Sequence, residues 1–99
     1  MNGTKISEAR IGRYGRKLLA YMKEYNPNLY TELLFSGDLE DWLAEQNEIC
    51  KERIREYTKQ ISKAQGVTDE LKARDQMTWV GAMNSIKAQA EEIVIKELL

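Results

Sequence analysis

A single proline, Pro27, interrupts the 99 residues of this chain. Because proline breaks helices and central strands, a chain with one proline can form long uninterrupted elements. Between Asp38 and Ala64 the apolar side chains recur mostly three or four residues apart, which is the period of a helix packed along one side. This spacing predicts one continuous helix of about 27 residues, about 40 Å long at the usual rise per residue.

Two helices are predicted before this long one. Residues 8–25 form an amphipathic pattern with a basic back, although two early glycines weaken its first turns. Asn26 followed by Pro27 is typical of a helix start, because proline fits the first helical position. Ser36 and Gly37 are predicted to end the short helix that follows.

A fourth helix is predicted after a turn at Gly66. This glycine stands where a left-handed residue closes a helix, with Val67 placed to pack back on the last turn and Thr68 as the next cap. Because the link is short, the fourth helix is expected to return antiparallel to the third. The predicted fold class is therefore all-α. It is a small helical bundle of about four helices, built on a long antiparallel helical hairpin and forming a single domain over residues 1–99.

The fourth helix carries more apolar surface than one helical neighbour can cover. Its main apolar face includes Leu71, Trp79 and Val94 and is expected to pack on the third helix. A weaker second stripe occupies another side of the helix. Either the first two helices or another protomer must cover it. The second stripe consists of Met77, Val80, Ala88, Ile95 and Leu99.

The residues that most enzymes need are absent or badly placed. The chain has no histidine, which removes the commonest general base and the commonest metal ligand. Its one cysteine, Cys50, lies on the apolar face of the third helix without a histidine, so packing is its expected role. Glu48, Glu52 and Glu56 each precede a Lys or Arg by three residues, which is typical of a salt-bridged surface. We therefore expect no catalytic residues, no metal site, no cofactor and no enzyme activity.

The sequence predicts a cytoplasmic protein without a membrane segment. A single cysteine cannot form an internal disulfide, and residues 1–5 lack the apolar core of a secretion signal. No stretch approaches the ~20 apolar residues that a membrane span requires.

Charge is distributed in bands along the chain, although the net charge is only -1. Residues 1–25 carry six Lys or Arg, whereas residues 26–48 carry six Asp or Glu and no basic residue. The basic bands are candidates for binding phosphates, and the acidic run for binding a basic protein surface such as a nucleic-acid channel; solvation and internal ion pairing are the alternatives. The candidate partner- or nucleic-acid-binding residues are Arg10, Arg13, Arg16, Lys17, Lys51, Arg55 and Lys59. The candidate acidic surface comprises Asp38, Glu40, Asp41, Glu45 and Glu48.

Asp75 departs from the pattern of the fourth helix. On a helical wheel it falls between Leu71 and Trp79, inside the apolar arc. An unpaired buried carboxylate is costly, so we expect Asp75 to be a buried polar residue with a partner, either an arginine or the Tyr14 hydroxyl. Its expected role is to fix the register of the helices.

Several short sequence blocks, taken in order, are more specific than any single motif. They are Ile11–Arg16, Leu33–Gly37, Gly66–Lys72, Asp75–Val80, Met83–Asn84 and Ala90–Val94. In this order they resemble the transposon-encoded TnpV family, over nearly the whole chain. The resemblance implies an accessory product of transposons, conjugative elements and phages of Gram-positive bacteria. The blocks Arg13–Arg16 and Asp75–Trp79 are candidates for function, or for holding the first helix against the fourth.

Three hypotheses about function follow. The first is a non-catalytic accessory that binds a protein of a nucleic-acid machine, either the element's recombinase or a host defence nuclease in the manner of anti-CRISPR proteins. The second is a DNA-binding accessory of transposon excision, against which the near-neutral net charge counts. The third is a self-assembling protein, such as a homodimer, or an antitoxin-like partner of a neighbouring gene product.

Overall fold

The structure is a computed structural model that describes residues 6–99. The expectation that residues 1–5 lack a secretion signal lies outside this range. All its regular elements are helices, which confirms the all-α prediction. None of these helices combines the length and the apolar character that crossing a membrane requires. In chain order they are α1 (Glu8–Tyr25), α2 (Pro27–Ser36), α3 (Leu39–Ala64), α4 (Asp69–Arg74) and α5 (Gln76–Glu97).

Helix α1 covers the predicted residues 8–25 but is kinked at Gly12. The backbone of Gly12 has φ 75° and ψ 178°, a conformation that is essentially restricted to glycine. The turn before the kink is capped by Ser7, whose hydroxyl accepts a hydrogen bond from the Arg10 amide at 3.4 Å. The weak helix start expected from the early glycines is therefore a sharp change of direction inside α1.

The predicted helix ends are confirmed at α2 and α3. The Asn26 side chain accepts a hydrogen bond from the Leu29 amide at 3.4 Å and so caps α2, with Pro27 in its first turn. At the end of α3, Gly66 has φ 72°, and the Val67 amide donates to the Ser62 carbonyl at 2.8 Å. This is the hydrogen bond of a Schellman closure, and it turns the chain towards α4.

The predicted fourth helix is two helices, because the chain breaks at Asp75. Asp75 has φ −150° and ψ 86° and caps α5. Its carboxylate accepts hydrogen bonds from the Thr78 amide at 3.2 Å and the Thr78 hydroxyl at 2.7 Å, and these two bonds lower its pKa. The side chain is exposed, so the prediction of a buried Asp75 paired with an arginine or Tyr14 is wrong. The break gives Asp75 a local partner and removes it from the apolar arc.

Asp75→Ala is expected to lower the free energy of unfolding by about 1 kcal/mol, the usual value of a lost N-cap. Urea unfolding followed by circular dichroism would measure this loss. Asp69→Ala is the matched control, because Asp69 lies in the first turn of α4 and is exposed. A loss of about 3 kcal/mol or more at Asp75 would contradict the capping role and indicate a buried ion pair.

The core lies at one end of an elongated molecule. Helix α1 packs mainly on α3, and α3 packs on α5. The described part measures 56 × 22 × 18 Å. Residues 55–85, which we call the arm, contain one buried side chain, that of Val67. The buried core residues of the three long helices include Ile11, Leu18, Met22, Leu43, Cys50, Ile54, Ile86, Ala90 and Val94.

Candidate functional site

The kink in α1 is held by an amide side chain from α3. Because the helix restarts after Gly12, its next amide groups lack carbonyl partners within the helix. The Oδ1 atom of Asn47 accepts hydrogen bonds from the Tyr14 amide at 3.0 Å and from the Gly15 amide at 3.3 Å. Asn47 is 5% exposed and packs so closely that a Cβ on Gly12 would lie 2.5 Å from its Nδ2. Asn47 therefore fixes both the direction of α1 and its position on α3.

A buried carboxylate on α5 meets three polar groups from α1. Glu91 is 9% exposed. Its Oε1 lies 2.9 Å from Lys17 Nζ, and its Oε2 lies 3.3 Å from Arg13 Nη2 and accepts a hydrogen bond from the Tyr14 hydroxyl at 3.4 Å. Burial alone would raise the pKa of Glu91, but Lys17, Arg13 and the hydroxyl outweigh it and hold the pKa below its ordinary value. This cluster joins α1 to α5 and has the role that the sequence assigned to Asp75.

Sequence analysis did not single out Asn47 or Glu91, although both leave a signal. Asn47 falls between Leu43 and Cys50 on the apolar face of α3, so it is a polar residue at a core position. Glu91 falls between Ala88 and Ile95 of the second stripe. A polar residue on an apolar stripe indicates a buried polar contact, and this pattern was used to predict such a contact only at Asp75.

The remaining basic residues predicted on α1 also contact their own chain. Arg10 pairs with Glu40 at 2.6 Å and with Asp41 at 2.5 Å. Glu40 also accepts a hydrogen bond from the Ser7 amide at 2.9 Å. This bond has the larger effect in lowering the pKa of Glu40, and the hydrogen bond from Arg10 lowers it further. Arg16 donates to the carbonyl of Glu8 at 3.0 Å. The four basic residues predicted on α1 therefore all have intramolecular contacts.

The three basic candidate residues on α3, Lys51, Arg55 and Lys59, are only partly paired with carboxylates. Lys51 lies 3.3 Å from Glu48, and Arg55 lies 2.5 Å from Glu52, which confirms two of the predicted i,i+3 pairs. The third predicted pair, Glu56 with Lys59, does not form: no ion pair within residues 6–99 includes Lys59.

Part of the predicted acidic surface remains unpaired, and the helix before it ends with an exposed aromatic ring. Asp38 precedes α3, and its side chain makes no capping hydrogen bond. Neither Asp38 nor Glu45 takes part in an ion pair within the described range. Phe35, in the last turn of α2, is 84% exposed, and Glu32 lies one turn before it on the same helix. We call these four residues, Glu32, Phe35, Asp38 and Glu45, the acidic end.

Cys50 is a packing residue. Its side chain is fully buried in the core, as predicted. Burial raises the pKa of its thiol to about 11, although the nearby Arg53 acts in the opposite direction. At neutral pH the thiol is therefore protonated and unreactive.

Comparison with known proteins places the chain in a family. Residues 3–99 match the family model described as "Transposon-encoded protein TnpV". The chain belongs to the TnpV family. No curated protein and no solved structure matched it. The TnpV assignment therefore gives a genetic setting, a transposon, and the contacts described above give the structural roles of the family-like blocks.

The two TnpV-like blocks singled out in the sequence have different structural roles. Arg13 and Tyr14 from the first block contact Glu91, so this block holds α1 against α5. The block Asp75–Trp79 forms the cap and first turn of α5. Trp79 is half-buried, with the Lys72 ammonium 4.6 Å from its ring centre.

Proposed function

We propose that this TnpV-family protein is a non-catalytic, cytoplasmic accessory of a mobile element that binds a protein of a nucleic-acid machine. The partner is the element's recombinase or a host defence nuclease, the latter in the manner of anti-CRISPR proteins. The acidic end is the binding surface. The observation that carries this proposal is the 84% exposure of Phe35, which lies three residues from Glu32 and three from Asp38, neither of which takes part in an ion pair in the described residues.

The chemistry of the acidic end suits a basic protein surface. Residues 26–48 contain six acidic residues and no Lys or Arg. Arg10 and Lys51 pair with three of them, and the other three, Glu32, Asp38 and Glu45, take part in no ion pair in the described residues, so this surface keeps a negative charge. Proteins that hold nucleic acid present the opposite charge in a groove or channel, and complementary charge accelerates and orients association. An exposed aromatic side chain on such a surface is a typical hot spot, because it buries a large area at a low cost in conformational entropy.

The alternative, direct DNA binding by α1, has less support. Phosphate binding requires cations that exchange counterions for the DNA backbone. Arg10, Arg13 and Lys17 would first have to leave carboxylates of their own chain, Glu40, Asp41 and Glu91. A cation that stays paired with a carboxylate forms a pair without net charge, and such a pair attracts a phosphate only weakly.

The test is capture of the recombinase or nuclease by the tagged full-length chain in a Gram-positive host lysate treated with nuclease. Phe35→Ala should weaken capture of the recovered partner about tenfold or more, as expected for a hot-spot aromatic residue. Tyr25→Ala is the matched control, because Tyr25 is 64% exposed at the end of α1 and belongs neither to the acidic end nor to the second stripe. Capture that nuclease treatment abolishes would overturn the proposal in favour of DNA binding. Equal loss in both variants would show that the acidic end is not the binding surface.

A further inference from the structure

The arm lacks a core of its own. Of residues 55–85, only Val67 is buried, whereas Ile61, Trp79 and Met83 are half-buried. Met77 is 87% exposed and Val80 is 41% exposed. Helix pairs gain most of their stability from packing of an apolar face, so an arm this open has an apolar face available for another helix.

The exposed face of the arm continues a stripe that is already used for helix packing. Along α5, the positions of Met77, Val80, Asn84 and Ala88 are followed by those of Glu91 and Ile95, at intervals of three and four residues. Glu91 and Ile95 are buried, and Glu91 contacts α1. The second stripe is therefore half covered by a helix and half exposed. The open half has the spacing that accepts another helix.

The charges of the arm are compatible with a second copy of the chain as the occupant. Residues 55–85 contain five basic and four acidic residues, so two arms would not repel each other. Within α4 the acidic residues Asp69 and Glu70 come first and the basic residues Lys72 and Arg74 follow. None of these four takes part in an ion pair in the described residues. In an antiparallel pairing of the two arms the two α4 helices lie on opposite sides of the two-fold axis, so their like charges do not meet.

The side-chain sizes along the stripe are also self-complementary. An antiparallel pairing centred between Gly81 and Asn84 places the large Met77 of each copy opposite the small Ala88 of the other. Open space surrounds Gly81, where an added Cβ would meet no atom within 4 Å, so a second helix can approach closely there. The centre then brings the two Asn84 amides near each other, and a polar residue at such a position fixes the register of paired helices.

We propose that this protein forms a two-fold symmetric dimer through its arms, with the exposed half of the second stripe as the interface. The interface is separate from the acidic end, so the dimer and the proposed partner binding are independent. In the dimer each copy presents one acidic end at a distance from the paired arms. Such an assembly can engage two partner molecules, or two subunits of one oligomeric partner.

The test is the molar mass of the purified full-length chain, measured by sedimentation equilibrium from low to high micromolar concentration. The wild type should have twice the mass of one chain. The variant Met77→Glu/Val80→Glu should raise the dimer dissociation constant about a hundredfold or more, because the new charges would be buried without partners. Both positions are exposed in the single chain, so the helix content seen by circular dichroism should not change.

Two further variants make the outcome specific. Ser85→Glu adds a charge at an exposed position on another side of α5, and Phe35→Ala alters only the acidic end; both should remain dimeric. A wild type that is monomeric at high micromolar concentration overturns the proposal. A dimer that survives Met77→Glu/Val80→Glu, or that Ser85→Glu disrupts equally, places the interface elsewhere and overturns it too. Loss of partner capture without loss of the dimer would leave this inference intact and concern only the acidic end.

Discussion

Gly12→Ala is expected to cost several kcal/mol of the free energy of unfolding, more than alanine at any other glycine of residues 6–99. The φ of 75° with ψ of 178° is nearly inaccessible to alanine, which contributes about 1–3 kcal/mol of strain. The new Cβ would also lie 2.5 Å from Nδ2 of Asn47, and overpacking of this kind costs about 1–3 kcal/mol. Small domains have total stabilities of about 5–15 kcal/mol, so much of the population could unfold. Urea unfolding monitored by circular dichroism measures the loss.

Two further variants separate the two causes. Gly37 has φ 81° and open space around it, so Gly37→Ala retains the backbone strain without the clash and should cost about 1–2 kcal/mol. Combining Gly12→Ala with Asn47→Ala should remove the clash. The double variant should then lose less free energy of unfolding than the sum of the losses in the two single variants. If Gly12→Ala costs no more than Gly37→Ala, the close contact with Asn47 does not constrain α1.

Local patterns predicted α1, α2 and α3 correctly because these patterns depend on residues near in sequence. The caps at Asn26 and Gly66 and the pair Lys51 with Glu48 all join residues within one turn or so. Each of these contacts satisfies groups that are already neighbours, so tertiary packing does not need to be known. The same holds for Asp75, whose carboxylate accepts hydrogen bonds from Thr78, three residues later. This short spacing could have predicted a helix cap instead of a buried carboxylate.

The error at Asp75 came from the assumption of a continuous helix. A helical wheel keeps its phase only while the chain remains helical, and the break at Asp75 resets the phase between α4 and α5. The contacts of Glu91 with Arg13 and Lys17 lie 74 or more residues apart in sequence and depend on which helix covers the second stripe. No local pattern determines that choice, because α1 and a second protomer were equally compatible with the spacing.

Glu91→Gln is the second substitution with a large expected effect. It should lower the free energy of unfolding at pH 7 by about 1–3 kcal/mol, the range for buried hydrogen bonds to a charged group. The value stays below that of a fully buried ion pair because Lys17 and Arg13 are about half exposed, at 47% and 58% of their side-chain area. Thermal or urea unfolding of the variant and the wild type at pH 7 gives the difference.

The difference between wild type and Glu91→Gln should disappear in acid. The pKa of Glu91 is lower in the folded chain than in the unfolded chain, so its stabilising contribution is present above the unfolded pKa. That contribution is lost as the pH falls through the folded pKa, below the ordinary value of 4.5. Protonated glutamic acid and glutamine have similar shapes and no charge, so the two proteins should then be almost equally stable.

Glu92→Gln is the matched control for this pH dependence. Glu92 is the next residue on α5, but it is 69% exposed and pairs only with Lys96 on the same helix, at 3.0 Å. Such a pair contributes about 0.5 kcal/mol at most, so its removal should change the stability little at any pH. A Glu91→Gln difference that stays constant between pH 7 and pH 3 would show that the carboxylate contributes through its shape and not through its charge. The attachment of α1 to α5 would then depend on the apolar contacts of the core and on the Asn47 cap.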